Sequence, residues 1–288
     1  MDLVCIGDLM MDVRVDAGAL ARGGDVHGRV VLQPGGTSAN AAVWAVHAGA
    51  SARVHGRVGD DVAGRVLRAA LAGRGVEDAI IEDTAAPTGT MLVLHEEGER
   101  SMVADRGANA RMRPEDLPGA IGSGAVLVSG YLLLHADTRE AATSALGRAE
   151  APLVAIDAAS WPLVKDAGAD TFFEDTREAS VLLTNAREAE VLCGSSGEGA
   201  ARALGERYPI VAVKMGARGA AMSFHGELFA QAADHVSEAD PTGAGDAFDG
   251  VLLARLARGD EPAEALARAC RAGGLVAASA STWPERQR

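Results

Sequence analysis

The chain has 288 residues, of which 48% are apolar and only 3% aromatic, and carries a formal net charge of −13. A chain of this size buries a large core, as one big α/β unit or two ordinary ones, and its acidity argues against nucleic acid and anionic membranes as partners. Cys5, Cys193 and Cys270 are odd in number and lack metal-ligand spacing, which points to reduced thiols and a cytoplasmic setting.

In chain order, the first apolar run at 3–6 reads as a buried strand, too short for a signal peptide, so no targeting segment is expected. Helical spacing follows at 39–47 and 62–74, then a strand at 125–129, a helix at 138–148, strands at 153–156, 181–183 and 210–213, and a closing helix at 261–278. The stretch 124–134 is too short to cross a bilayer. Short β-branched runs alternating with helices predict a doubly wound, mostly parallel sheet with helices on both faces. Ligands then sit beyond the carboxyl ends of the strands. Asp12, Asn185 and Lys214 fall at or just past such ends.

Two segments break the alternation, roughly 13–33 and 88–106. The second reads as a hairpin, with 89–95 and 101–104 flanking Glu96-Glu97-Gly98-Glu99-Arg100.

The most informative stretch is Asp240-Pro241-Thr242-Gly243-Ala244-Gly245-Asp246-Ala247-Phe248. Gly243 and Gly245 allow a tight turn that aims several N–H groups at one point ahead of a helix, and such a point binds anions. Phe248, Val251, Leu252, Leu253 and Leu256 continue at helical spacing to Gly259. Asp246 then sits in a positive backbone field, placed to take a proton from a hydroxyl while the same amides of Gly243, Ala244 and Gly245 stabilise charge on a transferring phosphoryl group. From spacing alone a plain first-turn acid is equally consistent. Asn185 and Glu188 likewise read either as a capped helix start or as oxygen groups that hold a cation through water.

The wording of this turn closely resembles the C-terminal motif of the ribokinase, or PfkB, family of carbohydrate kinases. Gly35-Gly36-Thr37-Ser38-Ala39-Asn40-Ala41-Ala42 resembles the family's sugar-binding signature, followed by Arg57-Val58-Gly59-Asp60-Asp61. Asn185-Ala186-Arg187-Glu188 is similar to its Asn-x-x-Glu motif, and Val213-Lys214-Met215-Gly216-Ala217-Arg218-Gly219 to the strand and turn beside the nucleotide. The resemblance covers nearly the whole chain and implies one ribokinase-like kinase domain over 1–288, with a small β lid built from the two irregular segments. In some relatives such lids pair into dimers.

The resemblance further implies ATP and Mg²⁺ as cofactors. Asp246 would be the base and contact substrate, and Asp12, Gly35, Gly36 and Asn40 would bind sugar. Lys214, Gly216, Gly219, Thr242, Gly243, Gly245 and Asn185 would line the nucleotide, with Asn185 and Glu188 holding Mg²⁺ through water. Positions near Asp240 and Thr242 are similar to those that bind a monovalent cation in some relatives, but the segment 276–284 is shorter than the usual tail, which speaks against potassium activation. Arg106 resembles an arginine that grips the carboxylate of 2-keto-3-deoxygluconate in one branch, although Ala104 and Asp105 replace the tyrosines found there. A solvated arginine, or one paired with Asp105, is the alternative. Tyr131 and His135 follow a strand and stay outside the catalytic set.

The implied reaction is transfer of the γ-phosphoryl group of ATP to a hydroxymethyl group of a small sugar such as ribose or fructose. Sugar-acid and nucleoside kinases are the alternatives, the latter weakened by a lid without Phe, Tyr or Trp. From other classes, a dinucleotide-dependent oxidoreductase lacks its Gly-x-Gly-x-x-Gly after the first strand, and no Walker sequence occurs. A catalytically silent sugar binder on the same fold is left for activity to exclude.

Overall fold

Along the central strands, side chains alternate between two apolar layers, and this alternation sets the architecture. The computed structural model describes all residues except 22, 97, 98, 237–239, 280 and 286–288, with backbone alone for 96, 99 and 100. The expected hairpin tip at 97 and 98 and Ala280 in the tail therefore lie outside the described residues.

The chain begins with β1 (Leu3–Ile6), β2 (Met10–Ala17), β3 (Arg29–Gly35), α1 (Thr37–His47), β4 (Ala52–Gly59), α2 (Val62–Ala72), β5 (Glu77–Asp83), β6 (Gly89–Glu96) and β7 (Glu99–Asp105). It continues through β8 (Ile121–Gly122), β9 (Ala125–Ser129), α3 (Gly130–Leu133), α4 (Arg139–Gly147), β10 (Ala149–Glu150), β11 (Leu153–Asp157), α5 (Trp161–Ala167) and α6 (Ala169–Asp175). Then follow β12 (Val181–Asn185), α7 (Ala186–Cys193), α8 (Gly197–Leu204), β13 (Ile210–Lys214), β14 (Ala220–Phe224), β15 (Glu227–Gln231), α9 (Ala244–Ala257) and α10 (Pro262–Ala277).

The main sheet has the order β15-β14-β13-β12-β11-β9-β1-β4-β5. All neighbours from β5 to β13 pair parallel, while β13–β14 and β14–β15 pair antiparallel. Leu3 and Cys5 face one layer with Leu127, Leu183 and Leu252; Val4 and Ile6 face the other with Val128, Leu182 and Phe172. Both faces are thus covered, which is why these strands read as unbroken apolar runs. The strand order reverses between β1 and β9, and a crevice opens there at the carboxyl ends.

The two segments expected to form a lid make a separate four-stranded sheet of order β3-β2-β6-β7. Asp12 lies inside lid strand β2, opposite Gln33 and Met91, and not just past a strand of the main sheet as expected. Strands β4 and β5 and the β14–β15 hairpin were not evident from apolar patterning.

Helices α1 and α9 lie side by side. A Cβ on Gly250 would stand 2.1 Å from Ala41 O, so only glycine permits this approach. The contact sets the distance between Asn40 on α1 and Asp246 on α9. Among the described residues, no helix is long and apolar enough to cross a membrane.

Candidate active site

A cleft of about 720 Å³ runs under the lid and across the carboxyl ends of the main sheet, and Asp246 stands at its middle. Gly243 caps α9 with φ of +82°, a conformation that residues bearing a Cβ rarely adopt. This turn brings the first-turn amides of α9 to the cleft. Ala244 N–H donates to Pro241 O at 3.1 Å and is thereby committed to the turn, which removes it from the set expected to face phosphate. The amides of Gly243, Gly245 and Asp246 have no protein acceptor among the described residues.

Asp246 Oδ2 accepts a 2.8 Å hydrogen bond from Asn40 Nδ2. Burial pushes its carboxyl up to about 7; the Asn40 hydrogen bond and the Lys214 charge pull it down, and Asp157 and Asp12 add to the rise. A carboxylate tuned to that range suits a general base near neutral pH. Asn40 is itself oriented by Trp283, whose Nε1 donates to Asn40 Oδ1 at 2.8 Å. Both its polar groups are therefore engaged around the base. The tail residue Trp283 escaped sequence reasoning, and its partner lies 243 positions away.

Beneath the lid, Asp12 is 6% exposed and lines the cleft. Burial pushes it up to about 7, against the pull of Arg14. Gly35 packs directly on it, since a Cβ there would meet Asp12 Oδ2 at 2.4 Å. Gly36 lines the same wall. Arg106 is not paired with Asp105, which accepts from Gly107 N at 3.0 Å. Its Nη2 lies 3.4 Å from Asp8 Oδ1 and 3.4 Å from Thr138 Oγ1, while its buried Nε has no hydrogen-bond partner. Asp8 is a site residue that sequence reasoning missed. Burial raises its carboxyl although Arg106 lowers it. Tyr131 and His135 also line this end.

At the other end, Lys214 is not a free charge. Its Nζ donates to Asp157 Oδ2 at 2.8 Å and to both oxygens of Asp249 at 2.9 and 2.7 Å. Desolvation lowers its pKa, but Asp157 and Asp249 together overcome that and hold it well above the usual lysine range. Lys214 lines the cleft with its charge held in an internal ion triad. Asn185 and Glu188 cap α7 reciprocally: Asn185 Oδ1 accepts from Arg187 N at 2.9 Å and Glu188 N at 3.1 Å, and Glu188 Oε2 accepts from Asn185 N at 2.8 Å. Both nevertheless line the cleft, and burial together with Asp157 pushes Glu188 up to about 7. A buried carboxylate made costly by a like charge is an environment that a hydrated divalent cation relieves, so the oxygen set of Asp157, Asn185 and Glu188 fits Mg²⁺. Gly216 and Gly219, after β13, and Gly273, Gly274 and Ala277 of α10 also line the cleft. Thr242 is tied back to Asp240, donating from N at 2.9 Å and from Oγ1 at 2.6 Å to Asp240 Oδ1.

A helix start with unpaired amides beside a buried carboxylate in a polar cleft is what transfer of a phosphoryl group to an alcohol requires. The profile of the pfkB family carbohydrate kinases matches residues 1–285, and the chain belongs to that family. It is 32% identical to the 2-dehydro-3-deoxygluconokinase of Thermoproteus tenax, over 84% of this chain and 78% of that protein. It is 31% identical to a fructokinase of Klebsiella pneumoniae, over 88% and 83%. The ribokinase structure of Thermotoga maritima superposes with a TM-score of 0.82 at 21% identity, covering 98% of this chain and 95% of that one. The ribokinase-like fold and sugar phosphorylation are thereby established.

Proposed function

We propose that the enzyme transfers the γ-phosphoryl group of Mg-ATP to a hydroxymethyl group of a small neutral sugar such as fructose or ribose. The observation that carries this reading is Asp246, fixed by Asn40 at the amide-rich start of α9 in one cleft with Asp12. Asp246 takes the hydroxyl proton as the sugar oxygen forms its bond to the γ-phosphorus and the bond to the β-phosphate oxygen breaks, releasing ADP. The Gly243 and Gly245 amides face the charge that spreads over the phosphoryl oxygens. Asp12, beside Gly35 and Gly36, orients sugar hydroxyls. Asn185 and Glu188, with Asp157, would hold the Mg²⁺ that neutralises nucleotide charge, and Gly216 and Gly219 would flank the nucleotide.

A neutral substrate is favoured because the sugar end carries Asp8, Asp12 and Asp246 against one guanidinium, and Asp8 already faces that guanidinium. The second reading is a sugar acid, supported by the unpartnered Arg106 Nε and by the name of the Thermoproteus relative. A coupled ADP-release screen with Mg-ATP against fructose, ribose, 2-keto-3-deoxygluconate and nucleosides, with Asp246→Asn alongside, decides between them. Turnover on a neutral sugar that is abolished in Asp246→Asn and rises no further on the acid is the expected result. In the sugar-acid case, Arg106→Met would abolish turnover of the acid. An Asp246→Asn enzyme as active as the wild type would sink the assignment of the base.

We further propose that residues 1–288 act as one ribokinase-like unit whose lid, about 13–33 and 88–106, pairs with that of a second copy. Val30, Leu32 and Val103 are 62%, 68% and 64% exposed on its outer face. The free Cys5, Cys193 and Cys270 support a cytoplasmic setting.

A further inference from the structure

The two walls of the cleft come from different sheets, and a buried ion pair joins them. Arg14 lies two residues beyond Asp12 on the inner face of β2, and its guanidinium pairs with Asp240 at the start of the turn into α9. Both side chains are buried. A second lid residue, His95 on β6, places Nε2 3.4 Å from Asp240 Oδ2. Register puts Arg14 opposite Val93 on that strand, so Arg14 and His95 are diagonal neighbours on one lid face. The other carboxylate oxygen, Oδ1, receives both Thr242 N and Thr242 Oγ1, and Asp240 N donates to Ala277 O at 3.2 Å. The turn that presents the Gly243 and Gly245 amides therefore hangs on Asp240, and the lid grips Asp240 from the opposite side.

We propose that Arg14 is a positioning residue for phosphoryl transfer: from the lid it fixes Asp240, and through Asp240 the turn whose amides face the transferring group. This rests on the kinase reading above. Withdrawing the lid would leave a buried carboxylate without that guanidinium, which is strongly unfavourable. Closure over the sugar and the setting of the anion-binding amides then become one event, so the phosphoryl group meets a formed site only when water is excluded.

The test compares Arg14→Met, Arg14→Lys, Asp240→Asn and the Arg14→Met/Asp240→Asn double variant. Steady-state kinetics is run with sugar-binding titrations, and amide hydrogen exchange is read at Thr242, Ala244 and Ala247. Arg14→Met is expected to lower kcat by about tenfold or more while sugar Kd changes less than about threefold, and Arg14→Lys recovers part of the loss. The double variant should lose no more than the worse single one, because both changes cut the same link. Exchange at Thr242, Ala244 and Ala247, the hydrogen-bonded amides of the turn, should accelerate in Arg14→Met while strand 181–185 keeps its protection. A kcat within about twofold of wild type, or losses that multiply in the double variant, overturns the proposal. Should the wild type phosphorylate none of the sugars, the kinase reading fails by itself and exchange alone decides: unaltered protection at Thr242, Ala244 and Ala247 in Arg14→Met refutes the link, and faster exchange upholds it.

Discussion

Replacing Asp246 by asparagine should stabilise the ligand-free protein while it removes turnover. Burial carries the Asp246 carboxyl from 3.8 to about 7, and a span of about three pH units corresponds to roughly 4 kcal/mol between the two protonation states. The folded-state value lies above the unfolded one, so the folded state holds the proton more tightly. The associated stability is fully present below about pH 4 and is lost as pH rises through about 7. At pH 8 the ionised carboxylate therefore works against the fold. Water in the cleft screens Asp246, which lowers the ceiling of roughly 4 kcal/mol to a working figure of about 1–2 kcal/mol. Asparagine keeps the shape and can still accept from Asn40 Nδ2, so this penalty disappears without a new cavity. With roughly 2–4 °C per kcal/mol for a chain of this class, Tm should rise by about 2–8 °C. Thermal unfolding of both proteins without ligands, at about pH 5 and about pH 8, checks it. The gap should appear at the higher pH and shrink at the lower one. An equal gap at both, or none at pH 8, would refute the account of Asp246 as a carboxylate strained by burial.

Gly250→Ala places a Cβ 2.1 Å from a backbone oxygen of α1, which forces α1 and α9 apart. A loss of about 1–3 kcal/mol in urea unfolding should accompany a fall in kcat, since the 2.8 Å Asn40–Asp246 bond spans that joint. Unchanged values for both would refute the joint. Lys214→Met leaves Asp157 and Asp249 buried without their ammonium and should cost about 3–5 kcal/mol. Because the Lys214 charge lowers the Asp246 carboxyl, the acid limb of the kcat/KM profile should also move to higher pH. A shift the other way would remove Lys214 from the electrostatics of the base. Leu32→Asp puts a charge in the apolar outer face of the lid and should give monomers in sedimentation, whereas a wild type that is already monomeric rules out the lid pair.

What could be read from the sequence was what local pattern encodes. The turn at 240–248 announces itself because glycines, an acid and a helix start must be adjacent to make an anion site, and the parallel sheet shows in the apolar runs of β1, β9, β11, β12 and β13. Strand β5 did not show, since Glu77, Asp78 and Glu82 face water at the sheet edge and leave no apolar run. Lid strand β2 was hidden for a related reason: its cleft-facing positions Asp12 and Arg14 are charged, so alternation points the wrong way for a core strand. The partners of Lys214 were illegible because Asp157 on β11 and Asp249 on α9 lie 57 and 35 positions away and meet it only in the folded chain. A place at a strand end fixes where the Lys214 side chain starts but not which carboxylates neutralise it.

The same long-range logic explains why the tail matters to the base. An asparagine side chain can present either its oxygen or its amide nitrogen, and next to a carboxylate only the nitrogen is favourable. Trp283 can only donate from its ring nitrogen, so its bond to Asn40 Oδ1 leaves Nδ2 to face Asp246 Oδ2. Trp44 anchors the tail in turn, donating from Nε1 to Thr282 O at 2.8 Å, and the Arg74 guanidinium covers the Trp283 ring at 5.6 Å. The orientation of the group that tunes the base is therefore decided outside the cleft, by the indoles of Trp44 on α1 and Trp283 in the tail. Asn40 is in this sense both a wall of the cleft and the means by which Trp283 acts on Asp246.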